Sequence, residues 1–182
     1  GHIGSSLLRN MDKTQVKEVI VLDNLESRRY PSLFDLPPGF KFKFIRDDIL
    51  TVDFDTLLSG IDIVIHLAAL TDAEGILKTP GRLRKVNFKG LVRVADACSA
   101  KGAQLFFPST TSVYGSQDSI VDENCNELKP QSPYAREKLN AEKYLKSLSE
   151  KGLKYAICRF GTIFGYSIGM RYDTAVNKFV WQ

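Results

Sequence analysis

Short apolar stretches recur along this chain, and segments of helical periodicity separate them. Residues 16–22 and 61–67 read as buried strands, and 41–45 (Lys-Phe-Lys-Phe-Ile) alternates polar and apolar as a shorter one. Residues 104–107 and 154–159 complete the set. Between them, 80–101 repeats its apolar residues as a helix does, with Val86, Leu91, Val94, Ala95 and Cys98 inward. A helix starting at Ser132-Pro133 is expected to reach about Glu150, with Ser as cap and Pro in the first turn. A short helix is expected at 53–59 and another at 173–181. Strands that alternate with helices build parallel β-α-β units, so the fold class is α/β with a doubly wound parallel sheet.

Composition narrows the function classes. The 182 residues suit one domain with a real core. The net charge of +4 is mild and its Lys and Arg are scattered among acids, which disfavours nucleic acid or a membrane surface as partner. No apolar run reaches the ~18 residues that span a bilayer, and no signal peptide is recognisable. Cys98, Cys125 and Cys158 show no Cys-x-x-Cys spacing and two of them sit in apolar surroundings, so reduced core thiols in a cytoplasmic protein are expected. Two histidines make no metal-ligand pattern, and His66, ending an apolar run, reads as structural.

Ligands of open α/β sheets bind beyond the carboxyl ends of the strands, and several residue groups fall there. Gly1-His2-Ile3-Gly4 opens an apolar helix, like the back half of a glycine-rich loop that admits a pyrophosphate. Asp23 directly ends a strand, where a carboxylate accepts from ribose hydroxyls and repels a 2′-phosphate. A turn or capping Asp is the other reading of it. Arg28 and Arg29 follow closely and would favour a phosphate, but Asp23 ranks above them by position. Asp47-Asp48-Ile49 ends the next strand as an adenine-edge candidate, and the small Ala68-Ala69 pair allows close approach of a cofactor. Asn87 sits on the 80–101 helix, where surface polarity is the simpler account.

The strand at 104–107 delivers Ser109-Thr110-Thr111-Ser112 at its carboxyl end, and Tyr134-Ala135-Arg136-Glu137-Lys138 follows on the next helix. Residues four apart share a helix face, and an ammonium near a phenol lowers the phenol pKa from about 10. That makes a tyrosine a usable base near neutral pH. Alone, the spacing also describes an ordinary surface pair.

Together these groups resemble the extended short-chain dehydrogenase/reductase family, in its NAD-dependent epimerase/dehydratase branch acting on nucleotide sugars. The resemblance runs through Gly1-x-x-Gly4, Asp23-Asn24-Leu25, Asp48-Ile49, His66-Leu67-Ala68-Ala69, Val86-Asn87-x-x-Gly90, Ser109-Thr110 to Tyr114-Gly115, Ser132-Pro133-Tyr134-x-x-x-Lys138 and Arg159-Phe160. It implies a Rossmann domain over 1–164 with NAD as cofactor, and the beginning of a substrate-binding region over 165–182. Tyr134 then corresponds to the base that takes the sugar C4 hydroxyl proton, Lys138 to the group that depresses its pKa and binds the nicotinamide ribose, and Thr110 to the hydroxyl on the reacting oxygen. Gly1, His2 and Ile3 correspond to the pyrophosphate loop. Asp23, Asn24 and Arg28 match the adenosine ribose contacts, and Asp48 and Ile49 the adenine contacts. Leu67, Ala68, Ala69, Asn87 and Gly161 fall on the remaining cofactor positions. No metal is implied.

Two departures stand out. The fold's first strand, central in the order 3-2-1-4-5-6, has no counterpart, so the chain is expected to be a piece of a longer protein lacking roughly ten residues at its start. Thr162 stands where relatives often carry Asn in the segment after Arg159, which weakens that substrate contact.

Sugar 4,6-dehydratases resemble one another in placing Asp-Glu, or Glu alone, after the catalytic Thr. Here Thr111 and Ser112 stand there, and neither supplies a carboxylate. Epimerisation needs only reversible hydride transfer, with NAD restored each turn. A nucleotide-sugar epimerase is therefore expected, with a dehydrogenase, reductase or dehydratase of the same family as alternatives and a non-catalytic NAD-binding protein behind them. Relatives commonly dimerise through helices matching 80–101 and 132–150, so a homodimer is implied, although core packing produces the same periodicity.

Overall fold

A computed structural model describes residues 1–71, 80–170, 172 and 174–182. The chain divides into two compact units, 1–48 with 162–182 and 49–161.

In the first unit, α1 (His2–Asn10) precedes two parallel strands, β1 (Glu18–Leu22) and β2 (Lys41–Ile45). They pair from Glu18 opposite Lys41 to Leu22 opposite Ile45, and the Asp23 N–H adds a bond to the Ile45 carbonyl. The proline-rich stretch after β1 holds a short 3-10 turn (Tyr30–Leu33) where only a loop is expected from its composition. Arg9 fastens that turn to α1, donating to the main-chain oxygens of Ser5, Ser32 and Phe34. Ser5 is buried and binds the 167–169 loop: the Gly169 N–H donates to its hydroxyl, which donates to Ser167. A last helix, expected over 173–181, is observed at Ala175–Trp181; residue 173 lies outside the described residues.

The second unit holds the larger core. Its sheet has the order β3 (Ile63–Ile65), β4 (Gln104–Thr110), β5 (Tyr155–Phe160), all parallel. All the strand pairs within each unit are parallel, as an α/β fold requires. β3 is shorter than its apolar run, because only three residues face the β4 ladder. Asp53 caps a single turn, α2 (Phe54–Leu57), by accepting from the Asp55 and Thr56 N–H groups.

β4 outruns its expected end at Phe107 by three residues, passing through Pro108. A proline cannot donate to a ladder and is normally kept out of central strands. Here the peptide groups alternate: Gln104 and Phe106 bond toward β3, and Leu105 toward β5. Pro108 therefore faces the β3 side, beyond the last β3 pair at Ile65, where no strand asks for its missing N–H.

The expected single helix over 80–101 is three pieces. α3 (Pro80–Arg84) runs through a π turn (Lys85–Lys89) into α4 (Gly90–Lys101). α5 (Pro133–Ser149) starts where Ser132 and Pro133 predict, with the Ser132 hydroxyl accepting from the Ala135 N–H at 3.1 Å. Leu83, Leu91, Ala95, Cys98, Leu105, Phe107, Val113 and Leu145 form the dry centre between helices and sheet. The cysteines are free, and burial pushes the Cys98 thiol up to about 11, an unreactive core thiol. Among the described residues no helix is long and apolar enough to cross a membrane, and no cluster of three His, Cys, Asp or Glu is placed to hold a metal.

Candidate functional site

Within the second unit, Lys138 is 5% exposed although it carries an ammonium. Burying a cation without a partner is expensive. The oxygen that receives it is the Pro108 carbonyl, 2.6 Å from Nζ, which no strand uses. The same ammonium sits 4.4 Å from the Phe107 ring centre and 5.9 Å from that of Tyr134, one turn earlier on α5. Burial pulls the Lys138 pKa down to about 8, opposed by the carboxylate of Glu142. The two side chains thus share one face of α5, as residues four apart on a helix do.

Thr110 ends β4, two residues past Pro108, and caps the 3-10 turn Thr111–Val113. Its hydroxyl accepts from the Ser112 N–H at 3.2 Å and lies 3.1 Å from the Ser112 hydroxyl, to which it donates. Tyr114 follows the turn, and its carbonyl accepts from the Lys129 N–H at 3.2 Å. Thr111 and Ser112 are exposed.

Beneath this centre lies a charge network that the motif reading missed. Glu142, one turn beyond Lys138, is 1% exposed. It accepts from Arg159 of β5 (Nη2 to Oε2, 2.7 Å; Nε to Oε1, 3.2 Å) and from the Ser109 hydroxyl at 2.5 Å. Arg159 lies 4.8 Å over the Tyr114 ring, and its bonds to Glu142 raise its already high pKa. The available signal was the four-residue step from Lys138 to Glu142, on the same helix face.

His66, just beyond β3, is buried and stacks on Phe107 with ring centres 6.2 Å apart. Burial and then the Lys138 charge drive its pKa down to about 3, so it stays neutral, in keeping with a structural role. Leu67, Ala68 and Ala69 follow it, all half-buried. Asn87 is buried, not a surface polar residue, and clamps this segment: it accepts from the Leu70 N–H at 2.8 Å and donates to the Leu70 carbonyl at 2.9 Å. The Ile49 side chain is buried against Gly90, where a Cβ would stand 2.4 Å from Ile49 Cδ1. Gly161 follows β5 and is exposed.

In the first unit, Gly1 caps α1 without a side-chain bond, and half-buried His2 and Ile3 make its first turn. Such an end offers main-chain N–H groups to an anion. Asp23 Oδ1 accepts from the Leu25 N–H at 2.7 Å, and Asn24 donates to Asp48 Oδ2 at 3.1 Å, joining the carboxyl ends of β1 and β2. Leu25 and exposed Arg28 are left-handed, with φ of 61° and 54°. The structure thus brings Asp23, Asn24 and Asp48 to one strand edge within this unit, and Thr110, Tyr134 and Lys138 to the β4 edge and adjoining helix in the other.

The model of the NAD dependent epimerase/dehydratase family matches residues 1–182. The chain is 34% identical over 193 residues to the uncharacterized UDP-glucose epimerase YtcB of Bacillus subtilis (strain 168), covering 100% of this chain and 59% of that protein. It is 31% identical to the UDP-glucose 4-epimerase of Mycolicibacterium smegmatis, covering 80% of this chain and 47% of that one. UDP-glucuronic acid 4-epimerase from Bacillus cereus, solved with UDP-glucuronic acid and NAD, superposes with a TM-score of 0.85 at 28% identity, over 97% of this chain and 58% of that one. The chain thus spans about half the length of the relatives it matches. It belongs to the NAD-dependent epimerase/dehydratase family.

Proposed function

We propose that this protein epimerises a UDP-sugar at C4, with NAD as a resident cofactor and Thr110, Tyr134 and Lys138 as catalytic residues. The observation that carries the reading is the buried Lys138 ammonium, held on the Pro108 carbonyl one turn from Tyr134. A cation there stabilises the phenolate and lets Tyr134 take the C4 hydroxyl proton near neutral pH. Thr110 turns its hydroxyl from Ser112 to the reacting oxygen. Tyr134 returns the proton when the carbonyl is reduced.

The donor set fits a dinucleotide. Gly1, His2 and Ile3 at the uncapped end of α1 would hold the pyrophosphate, and Asp23, Asn24 and Arg28 the adenosine ribose. Asp48 and Ile49 would meet the adenine, with the buried Ile49 side chain leaving that contact to its main chain. Leu67, Ala68, Ala69, Asn87 and Gly161 would border the nicotinamide half, with Lys138 on its ribose. When bound, NAD supplies an acceptor for the C4 hydride that can give it back to either face. Thr111 and Ser112 offer no carboxylate for removing a C5 proton, which favours epimerisation over elimination. The division at residue 164 into cofactor domain and substrate region, and a homodimer through 80–101 and 132–150, belong to the same proposal.

The test is to incubate the purified protein with UDP-sugars and to separate epimers chromatographically while following near-ultraviolet absorbance. Epimer formation without net NADH supports the reading. Accumulating NADH or a released keto-sugar overturns it in favour of a dehydrogenase or dehydratase. Tyr134→Phe should lower turnover by roughly 10²–10⁴ while NAD stays bound.

A further inference from the structure

The reaction proposed above gives no role to Glu142, yet this carboxylate is 1% exposed and accepts hydrogen bonds from both Arg159 and Ser109 in addition to standing one turn from Lys138. Stability alone does not explain such a network. Well-packed apolar residues of similar volume hold an interface as well as a buried ion pair, and often better. What an apolar pair cannot do is grip a hydroxyl or hold a charge near an ammonium. The hydroxyl gripped here belongs to Ser109, the residue before Thr110 at the end of β4. The ammonium is that of Lys138, four residues back on the same face of α5.

We propose that Glu142 is a positioning residue of this centre: it anchors the carboxyl end of β4 through Ser109 and keeps Lys138 cationic with a carboxylate one helical turn away. The inference rests on the reading of Lys138 as the active-site cation. Among the described residues, Lys138 interacts with Tyr134 and Glu142 on its own helix and with His66 beyond β3, while Arg159 on β5 reaches this group through Glu142. His66 is neutral, and the Arg159 charge is directed onto Glu142. Glu142 is therefore the anion that opposes the effect of burial on Lys138. Arg159 and Ser109 hold that anion in place while it does so.

The test follows the Lys138 ε-carbon by NMR in protein with isotope-labelled lysine, its signal assigned by its loss in Lys138→Arg. The native protein should titrate at about 8. Glu142→Gln should move that inflection down by about one pH unit or more, a tenfold loss of proton affinity. It strands the Arg159 guanidinium and can fail to fold, so Glu142→Gln/Arg159→Met is measured beside it. That double variant removes both charges, and an acidward shift is still expected, smaller by the repulsion that Arg159 no longer exerts. Glu142→Asp should recover part of the native value. An inflection unmoved in the folded variants overturns the inference. The readout needs no substrate: a shift without sugar turnover sinks the epimerase reading and leaves Glu142 its role, while turnover without a shift does the reverse.

Discussion

The Lys138 ammonium donates to the Pro108 carbonyl at 2.6 Å, at a point where β4 has outrun the neighbour that would otherwise claim that oxygen. The proline and the lysine therefore answer one another. A residue without an N–H leaves its stretch of ladder undemanding, and a buried cation takes the carbonyl left over.

That arrangement has a pH signature. The folded pKa of Lys138, about 8, lies below its ordinary 10.5, so the unfolded chain binds the extra proton between those values. The Lys138 contribution to stability is full above pH 10.5 and is lost as pH falls to about 8, a change of about 3 kcal/mol. Lys138→Met should abolish this rise in stability from pH 8 to 10.5 in urea unfolding, and should lower turnover at least a hundredfold.

His66 makes the matching prediction on the acid side. Its folded pKa of about 3 lies below 6.5, so its contribution is present above pH 6.5 and is lost as pH falls toward 3. Stability should decline by about 1.4 kcal/mol per pH unit in that window from this group alone. His66→Phe, which can keep the stack on Phe107, should flatten the decline between pH 6 and 4, read from denaturant midpoints.

Two glycines separate backbone strain from crowding. Gly102 and Gly115 have φ of 72° and 67°, but a Cβ at Gly102 meets nothing within 4 Å, whereas one at Gly115 would stand 2.0 Å from the Lys129 carbonyl oxygen. Gly102→Ala should cost about 1 kcal/mol, the left-handed penalty alone. Gly115→Ala should cost at least about 2 kcal/mol more, because main chain must move. Thermal unfolding of the two variants measures the difference.

Asn87 satisfies both main-chain groups of Leu70. Asn87→Leu removes both partners at once and should destabilise by about 2–6 kcal/mol, at about 1–3 kcal/mol for each polar group left unmet. Asn87→Asp keeps only the acceptor and should fall between. Amide exchange at Leu70 should quicken in Asn87→Leu and stay slower in Asn87→Asp, which keeps an acceptor for that N–H.

Much of this was legible in the residues, for reasons that differ by element. The Phe-Lys-Phe alternation of β2 and the Ser132-Pro133 start of α5 are local signals, and they placed those elements to within a residue. The β4 extension was not legible, because a proline reads as a stop unless one knows which neighbour its peptide faces. Glu142 hid among the charged positions of α5, since burial of a carboxylate shows only once Arg159 and Ser109 are brought to it from two strands. Asn87 looked like a surface polar residue for the same reason: its partner, Leu70, is seventeen positions away.

The π turn at 85–89 sets a rule of length on this stretch. It holds one residue more per turn than its neighbours, closing with the Gly90 N–H on the Lys85 carbonyl. Losing any one residue there would tighten it to an ordinary turn and swing the segment ahead by about 100° about the helix axis. Asn87 would then leave Leu70, although Lys85 and Lys89 themselves face solvent and tolerate other side chains. Here the number of residues is constrained where their identity is not.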